Sequence, residues 1–166
     1  MTDPLTAAVP ARRLVEALDA AGQTMATAES LTAGLLAATV AGVPGASAVL
    51  RGGVVLYATD LKHVLGGVDA DQLTTHGPVA AETAEALAVA VRERCAADWG
   101  VALTGVAGPD EQDGQPVGTV YLGIAGPAEV EAMRLALTGD RWAIRLGAAG
   151  TAVVELTRRV ELGRAH

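Results

Sequence analysis

Aromatic side chains, cysteine and lysine are what this sequence has least of. Among 166 residues there are two Trp, two Tyr and no Phe, so 2% are aromatic. A core built on large rings is thereby excluded. Hydrophobic residues make up 51% of the chain, many of them Ala, so the core must be aliphatic and small-residue, which suits close helix-on-sheet packing. The single cysteine, Cys95, excludes an internal disulfide framework and a Cys-based metal cluster. Its place in an apolar helical pattern reads as core. No stretch approaches the roughly 20 apolar residues of a membrane span. The N-terminal MTDPLTAAVPARRL carries acid early and no long apolar run, which reads against a signal peptide. A reducing cytoplasm is the expected setting, with no membrane partner.

The charge balance is acidic, −7 with a pI near 4.8. Binding a phosphate backbone requires a basic face, so nucleic acid is excluded as the main partner. A small anion held by one or two Arg is not. The basic residues are eleven Arg and one Lys, Lys62. A coding bias toward Arg and Ala accounts for the Arg excess. The remaining lysine differs in kind, because a desolvated Lys can give up its proton at working pH and an Arg cannot.

The length fits a single domain, 1–166. Apolar spacing predicts a helix over 11–21 with Gly22 as its C-cap, a strand over 24–29 and a helix over 32–41. A turn cluster (41–47) leads to a strand over 50–57. A short helix capped by Thr59 or Asp60 then runs through Val64, and a helical turn falls near Asp71–Thr75. The clearest helix is 80–97, with Ala80, Ala84, Leu87, Ala88, Val91 and Cys95 on one face. A strand over 99–104 breaks into the loop GVAGPDEQDGQPVG. Strands over 118–125 and 129–137 read as a hairpin around Gly126-Pro127. Asp140 can cap a last helix, 141–162, with Ile144, Ala148, Ala152, Leu156 and Val160 inward. Strand–helix alternation followed by a hairpin predicts helices on both faces of a mixed, mostly parallel sheet, a three-layer α/β/α sandwich.

In such sheets ligands sit beyond the carboxyl ends of the strands. Three segments leave strands there: AESLTAG, YATDLK and TGVAGPD. Ser30 or Thr32 can be a helix N-cap, worth about 1 kcal/mol. Alternatively, Ser30 is a nucleophile at a helix start, where backbone N–H groups stabilise an oxyanion. A serine needs a base. His63, His76 and His166 form no triad pattern or metal spacing, and His63 reads as helix surface. Lys62, neutral in an apolar pocket, is the alternative base. Tyr57 can orient either group or simply end a strand. Thr104, Gly105 and Gly108 form a strand exit that either approaches a ligand closely or only turns. Arg141 and Arg145 share a helix face and either grip a phosphate or face solvent.

Taken together, the segments resemble the C-terminal domain of the competence/damage-inducible protein CinA. AESLTAG resembles its AESCTGG-type signature, and RGGVVLYATDLKHVLGGV its RG-x-V-x-Y-x(4)-K segment. HGPVAAETA, TGVAGPD with PVGTVYLGI, and TGDRWAIR match three further blocks. The similarity runs from about residue 10 to 160. It implies a metal-free, cofactor-free amidohydrolase that converts nicotinamide mononucleotide to nicotinic acid mononucleotide and ammonia, in pyridine nucleotide recycling. It also implies an α/β/α domain that forms homo-oligomers. On the matching positions, Ser30 is the expected nucleophile and Lys62 the base, with Tyr57 and Thr104 positioning the amide or stabilising the oxyanion. Arg145 and Arg141 would hold the phosphate, and Thr32, Gly34, Gly105 and Gly108 would shape the pocket. Leu31 stands where the signature has cysteine, and Ala33 where it has the first glycine of a pair, so that its methyl either narrows the pocket or alters backbone freedom. The loop after Pro109 carries Glu111-Gln112-Asp113-Gly114 in place of a glycine run, and Gln115 precedes Pro116 where lysine is frequent. The chain is expected to be the stand-alone form, without the N-terminal domain of many members.

Overall fold

Short β-rich runs separated by helices with one apolar face leave little choice but a sheet covered on both sides. The computed structural model describes residues 4–163, and His166 lies outside them. A first helix, α1 (Pro4–Ala8), precedes α2 (Ala11–Ala21) and β1 (Met25–Glu29). Next come α3 (Leu35–Ala41), α4 (Ala46–Val49), β2 (Leu50–Val55), α5 (Thr59–Val64) and α6 (Ala70–His76). The long helix α7 (Ala81–Arg94) leads to β3 (Trp99–Gly105), the hairpin β4 (Thr119–Ala125) and β5 (Val130–Ala136), and α8 (Arg141–Gly163). The strand order is β2-β1-β3-β4-β5. Strand β1 runs parallel to both β2 and β3, while β4 is antiparallel to β3 and to β5. Four of the five strands therefore point the same way, the mixed, mostly parallel sheet of an α/β/α sandwich.

Alternation along the strands sorts the core into two layers. Met25, Val101, Leu103, Val120, Leu122 and Ile124 face α2, α3 and α8, whose Leu14, Leu36, Ile144 and Leu156 are fully buried. On the other face, Ala26, Ala28 and Ala102 meet Leu87, Ala88 and Val91 of α7. That second layer is thin because its sheet residues are small. A methyl on Gly123 would lie 2.2 Å from the Ala84 carbonyl oxygen, and one on Gly100 would lie 2.0 Å from that of Ala88. The backbone of α7 thus rests almost directly on the sheet.

Several boundaries depart from expectation. The helix expected over 32–41 begins only at Leu35, because residues 31–34 form turns. Ala33 and Gly34 both take positive φ, 49° and 92°, which no helix tolerates. Strand β2 stops at Val55, and α7 stops at Arg94 with Cys95 as its half-buried C-cap residue, so Cys95 packs at the margin of the second core layer and is not fully buried. Neither Thr59 nor Asp60 caps α5, since Ala58 holds that position. Gly22 does close α2 in the left-handed conformation, and the Asp140 carboxylate accepts from the Ala143 N–H at 2.8 Å.

Candidate active site

The parallel register brings three strand ends to one edge of the sheet. Glu29 pairs with Val55 on one side and with Leu103 on the other. The residues that follow each strand, Ser30, Leu56-Tyr57 and Val106, therefore emerge side by side. The helix α5 folds back from β2 and returns Lys62 to this rim.

Glu29 fixes the turn that carries Ser30. It is 1% exposed, and its carboxylate accepts from the backbone N–H groups of Gly34, Leu36 and Ala37 at 3.1, 3.0 and 2.9 Å. The carboxylate, not Ser30 or Thr32, is the cap of α3, where negative charge meets the positive end of the helix. This role escapes the sequence because Glu29 sits six residues before Leu35, outside the usual capping spacing; only an acid at the end of a buried strand signals it. Ser30 is thus released from capping, and Lys62 Nζ lies 3.1 Å from its Oγ.

Lys62 is 2% exposed. Its Nζ donates also to the Leu56 carbonyl at 3.1 Å. It has a hydroxyl and a carbonyl as partners and no bonded carboxylate, a poor environment for an ammonium. Burial pushes its pKa below the usual lysine value, and the negative charge of Asp113 pulls partly back. As a neutral amine it keeps one lone pair, which can face the Ser30 hydroxyl.

Ser30 and Lys62 open into a cavity of about 240 Å³. Leu31, Tyr57, Thr104, Gly105, Gly108 and Arg141 line it with them. Thr104 is buried, and its hydroxyl donates to the Pro78 carbonyl at 2.6 Å. A hydroxyl has one hydrogen, so Thr104 Oγ1 can accept from a substrate amide but cannot donate to an oxyanion. Tyr57 is exposed; its hydroxyl accepts from Arg141 Nη2 and keeps its own hydrogen to donate. Arg141 Nη1 holds the Gly108 carbonyl. Sequence reasoning did not single out Pro78, Val79, Asp110 and Glu111 as lining residues; Asp110 and Glu111 were legible only as loop acids after a strand.

Three expected site residues do not reach the cavity. Arg145 donates from Nε to the Leu31 carbonyl at 2.9 Å and from Nη2 to the Thr32 carbonyl at 3.1 Å, and its guanidinium lies 5.8 Å from the Trp142 ring centre. It holds the serine turn from behind. Thr32 is fully buried with its hydroxyl unpartnered, and Gly34 supplies the left-handed step before α3. Ala33 is exposed and outside the cavity lining, so its methyl acts on backbone freedom and does not narrow the pocket. An L-residue at that φ costs about 1 kcal/mol relative to glycine. Among the described residues no group of three or more His, Cys, Asp or Glu could hold a metal ion, and no helix is long and apolar enough to cross a membrane.

Fold and site together define an α/β/α protein with a buried Ser–Lys pair at the carboxyl edge of its sheet. The chain belongs to the CinA C-terminal domain family, which it matches over residues 8–160. A CinA-like protein of Frankia casuarinae is 48% identical over 140 residues, 84% of this chain and 32% of that protein. One of Acidobacterium capsulatum is 41% identical over 144 residues, 86% and 35% respectively. The chain thus spans about a third of the length of these relatives. A crystal structure of a CinA superfamily protein from Klebsiella pneumoniae superposes with a TM-score of 0.88 at 30% identity, covering 91% of this chain and 95% of that one. The competence/damage inducible protein CihA from Agrobacterium tumefaciens gives 0.85 at 34% identity, covering 91% and 93%.

Proposed function

We propose that the domain hydrolyses the carboxamide of nicotinamide mononucleotide to the acid and ammonia, with Ser30 as nucleophile and Lys62 as general base. The observation that carries this reading is the buried pair itself: Nζ lies 3.1 Å from Oγ inside a cavity, on a lysine whose pKa is lowered. Structural lysines rarely meet a serine there without a carboxylate to balance them.

The chemistry follows from the donors and acceptors present. Neutral Lys62 takes the hydroxyl proton as Ser30 Oγ bonds to the carboxamide carbon. Backbone N–H groups at the turn that carries Ser30 receive the charge that develops on the carbonyl oxygen. Thr104 Oγ1 accepts an N–H of the amide. The C–N bond breaks as the Lys62 ammonium returns its proton, and ammonia leaves. Water then adds to the acyl-serine with Lys62 again as base, releasing the carboxylic acid and restoring Ser30. Arg141 and the Tyr57 hydroxyl at the mouth serve the phosphate, while Arg145 keeps the Leu31–Thr32 turn in register. The homo-oligomer and cytoplasmic setting implied by the family resemblance belong to the same reading.

The test is ammonia release from nicotinamide mononucleotide. Ser30→Ala and Lys62→Ala should each lower kcat by about 10³-fold or more while leaving the melting transition in place. Full activity in either variant defeats the dyad.

A further inference from the structure

Thr104 stands where it can select what attacks an acyl-serine as well as bind the amide that forms one. The Ser30 N–H donates to the Leu103 carbonyl at 2.9 Å. The parallel pairing of Glu29 with Leu103 thus carries on for one more residue and sets Thr104 beside Ser30, about 5 Å away. The Thr104 hydroxyl is fully buried, and its one hydrogen is committed to the Pro78 carbonyl at 2.6 Å. Toward the cavity it offers lone pairs and no donor. Lys62 Nζ reaches Ser30 Oγ at 3.1 Å and, as a neutral amine, offers a lone pair as well. A nucleophile arriving beside Ser30 therefore meets two buried acceptors. With only one hydrogen on its attacking atom it leaves one of them unsatisfied, which slows it about tenfold. Water brings two hydrogens, a primary amine also brings two, and an alcohol brings one.

Resting on the amidase reading, we propose that the site is also an acyltransferase to small primary amines, with Thr104 as the specificity-determining residue that requires two hydrogens on the attacking atom. The nitrogen lone pair attacks the ester carbon of the acyl-serine and forms the C–N bond. Lys62 Nζ takes one N–H proton, and Thr104 Oγ1 accepts a hydrogen bond from the second N–H. The C–Oγ bond then breaks, the Lys62 proton passes to Ser30 Oγ, and an N-substituted amide leaves. This is the departure of ammonia run backward, so the space that releases ammonia is the space that admits the amine. Its walls limit size: Lys62, Pro78, Val79 and Thr104 are all buried around it. Amines about as large as hydroxylamine or methylamine fit there, and bulkier ones are shut out.

The test traps the acyl-enzyme formed from nicotinamide mononucleotide with hydroxylamine and methanol in competition. The two are similar in size and differ in the hydrogens on the attacking atom. Initial rates of acid, hydroxamate and methyl ester are followed by chromatography in native protein, Ser30→Ala, Thr104→Val and Thr104→Ser. Native protein should form Ser30-dependent hydroxamate at the expense of the acid. The hydroxamate-to-ester ratio should fall about tenfold in Thr104→Val, where an alcohol no longer leaves an acceptor unsatisfied, and should be restored by Thr104→Ser. Both products come from one intermediate, so slow acylation or partial unfolding of a variant does not move their ratio. Ammonia release without hydroxamate overturns the transfer while leaving the amidase intact. Equal ratios in native protein and Thr104→Val refute the role of Thr104. Absence of Ser30-dependent ammonia overturns the amidase reading, and the transfer with it.

Discussion

At the scale of single residues, the site is a problem of where one proton resides. A lysine is a base only when neutral, so under the proposed mechanism activity should rise with pH through the lowered pKa of Lys62 and stay high above it. Burial sets that pKa chiefly, and Asp113 opposes burial by favouring the ammonium. Removing the opposing charge with Asp113→Asn lowers the pKa further, which makes the amine neutral at a more acidic pH. The rising limb of the kcat profile should therefore move to lower pH than in the native protein. A limb that stays in place, or moves up, shows that Asp113 does not act on the base; a flat profile from about pH 5 to 9, the range in which a buried lysine titrates, removes Lys62 from that role altogether. This separates charge from packing, because Asp113 is exposed and its replacement disturbs no core contact.

At the scale of elements, the decisive feature is the handover from β1 to α3. Glu29 satisfies three N–H groups at the start of a helix of only 7 residues, too short to stand on propensity alone. Replacing it with Gln keeps the shape but turns one acceptor into an NH2 that faces donors. Charged hydrogen bonds of this kind are worth about 1.5–3 kcal/mol, so Glu29→Gln should lower Tm by on the order of 5–10 °C for a domain of this size. It should also lower kcat, because the turn it anchors carries Ser30. An unchanged Tm would mean the helix start is held by packing alone. The sequence announced much of this handover: the strand and the helix were legible from periodicity, and Ser30 stands where the family signature has its serine. The division of labour was not. Side-chain caps are sought within three residues of a helix, and Glu29 acts across a turn of positive-φ residues that no local propensity foretells. Arg145 was misplaced for a related reason. Its spacing from Arg141 puts both on one face, but a face one turn long spans both the cavity mouth and the back of the serine turn, and only the packing of α8 decides which Arg meets which.

At the scale of the whole molecule, the scarcity of aromatic residues becomes a spacing rule. Two layers of helix need two thicknesses of filling, and the sequence pattern identified the thick one well: Ile144, Ala148, Ala152, Leu156 and Val160 of α8 are all buried as their spacing demanded. The thin layer was harder to read, since Gly100 and Gly123 look like ordinary weak points of strands. In the fold they are contacts, with the carbonyl oxygens of Ala88 and Ala84 occupying the space of their missing side chains. That closeness matters to the site, because α7 follows Pro78 and Val79, which line the cavity, and Thr104 donates to the Pro78 carbonyl. Two glycine substitutions of the same size should therefore have opposite signs. Gly123→Ala places a methyl 2.2 Å from a backbone oxygen, and backbone cannot swing aside as a side chain can, so it should cost about 3 kcal/mol or more and lower kcat by shifting Pro78. Gly150→Ala lies inside α8 with only an ordinary contact, 3.8 Å to Val9; there the helix gains about 0.5–1 kcal/mol from the lost freedom of glycine. Thermal denaturation of the two variants reads both effects at once. A Gly123→Ala protein that melts with the native one would show that α7 can ride up off the sheet without cost, and the tight layer would then be a consequence of small residues rather than a constraint that positions Pro78 and Thr104 at the cavity.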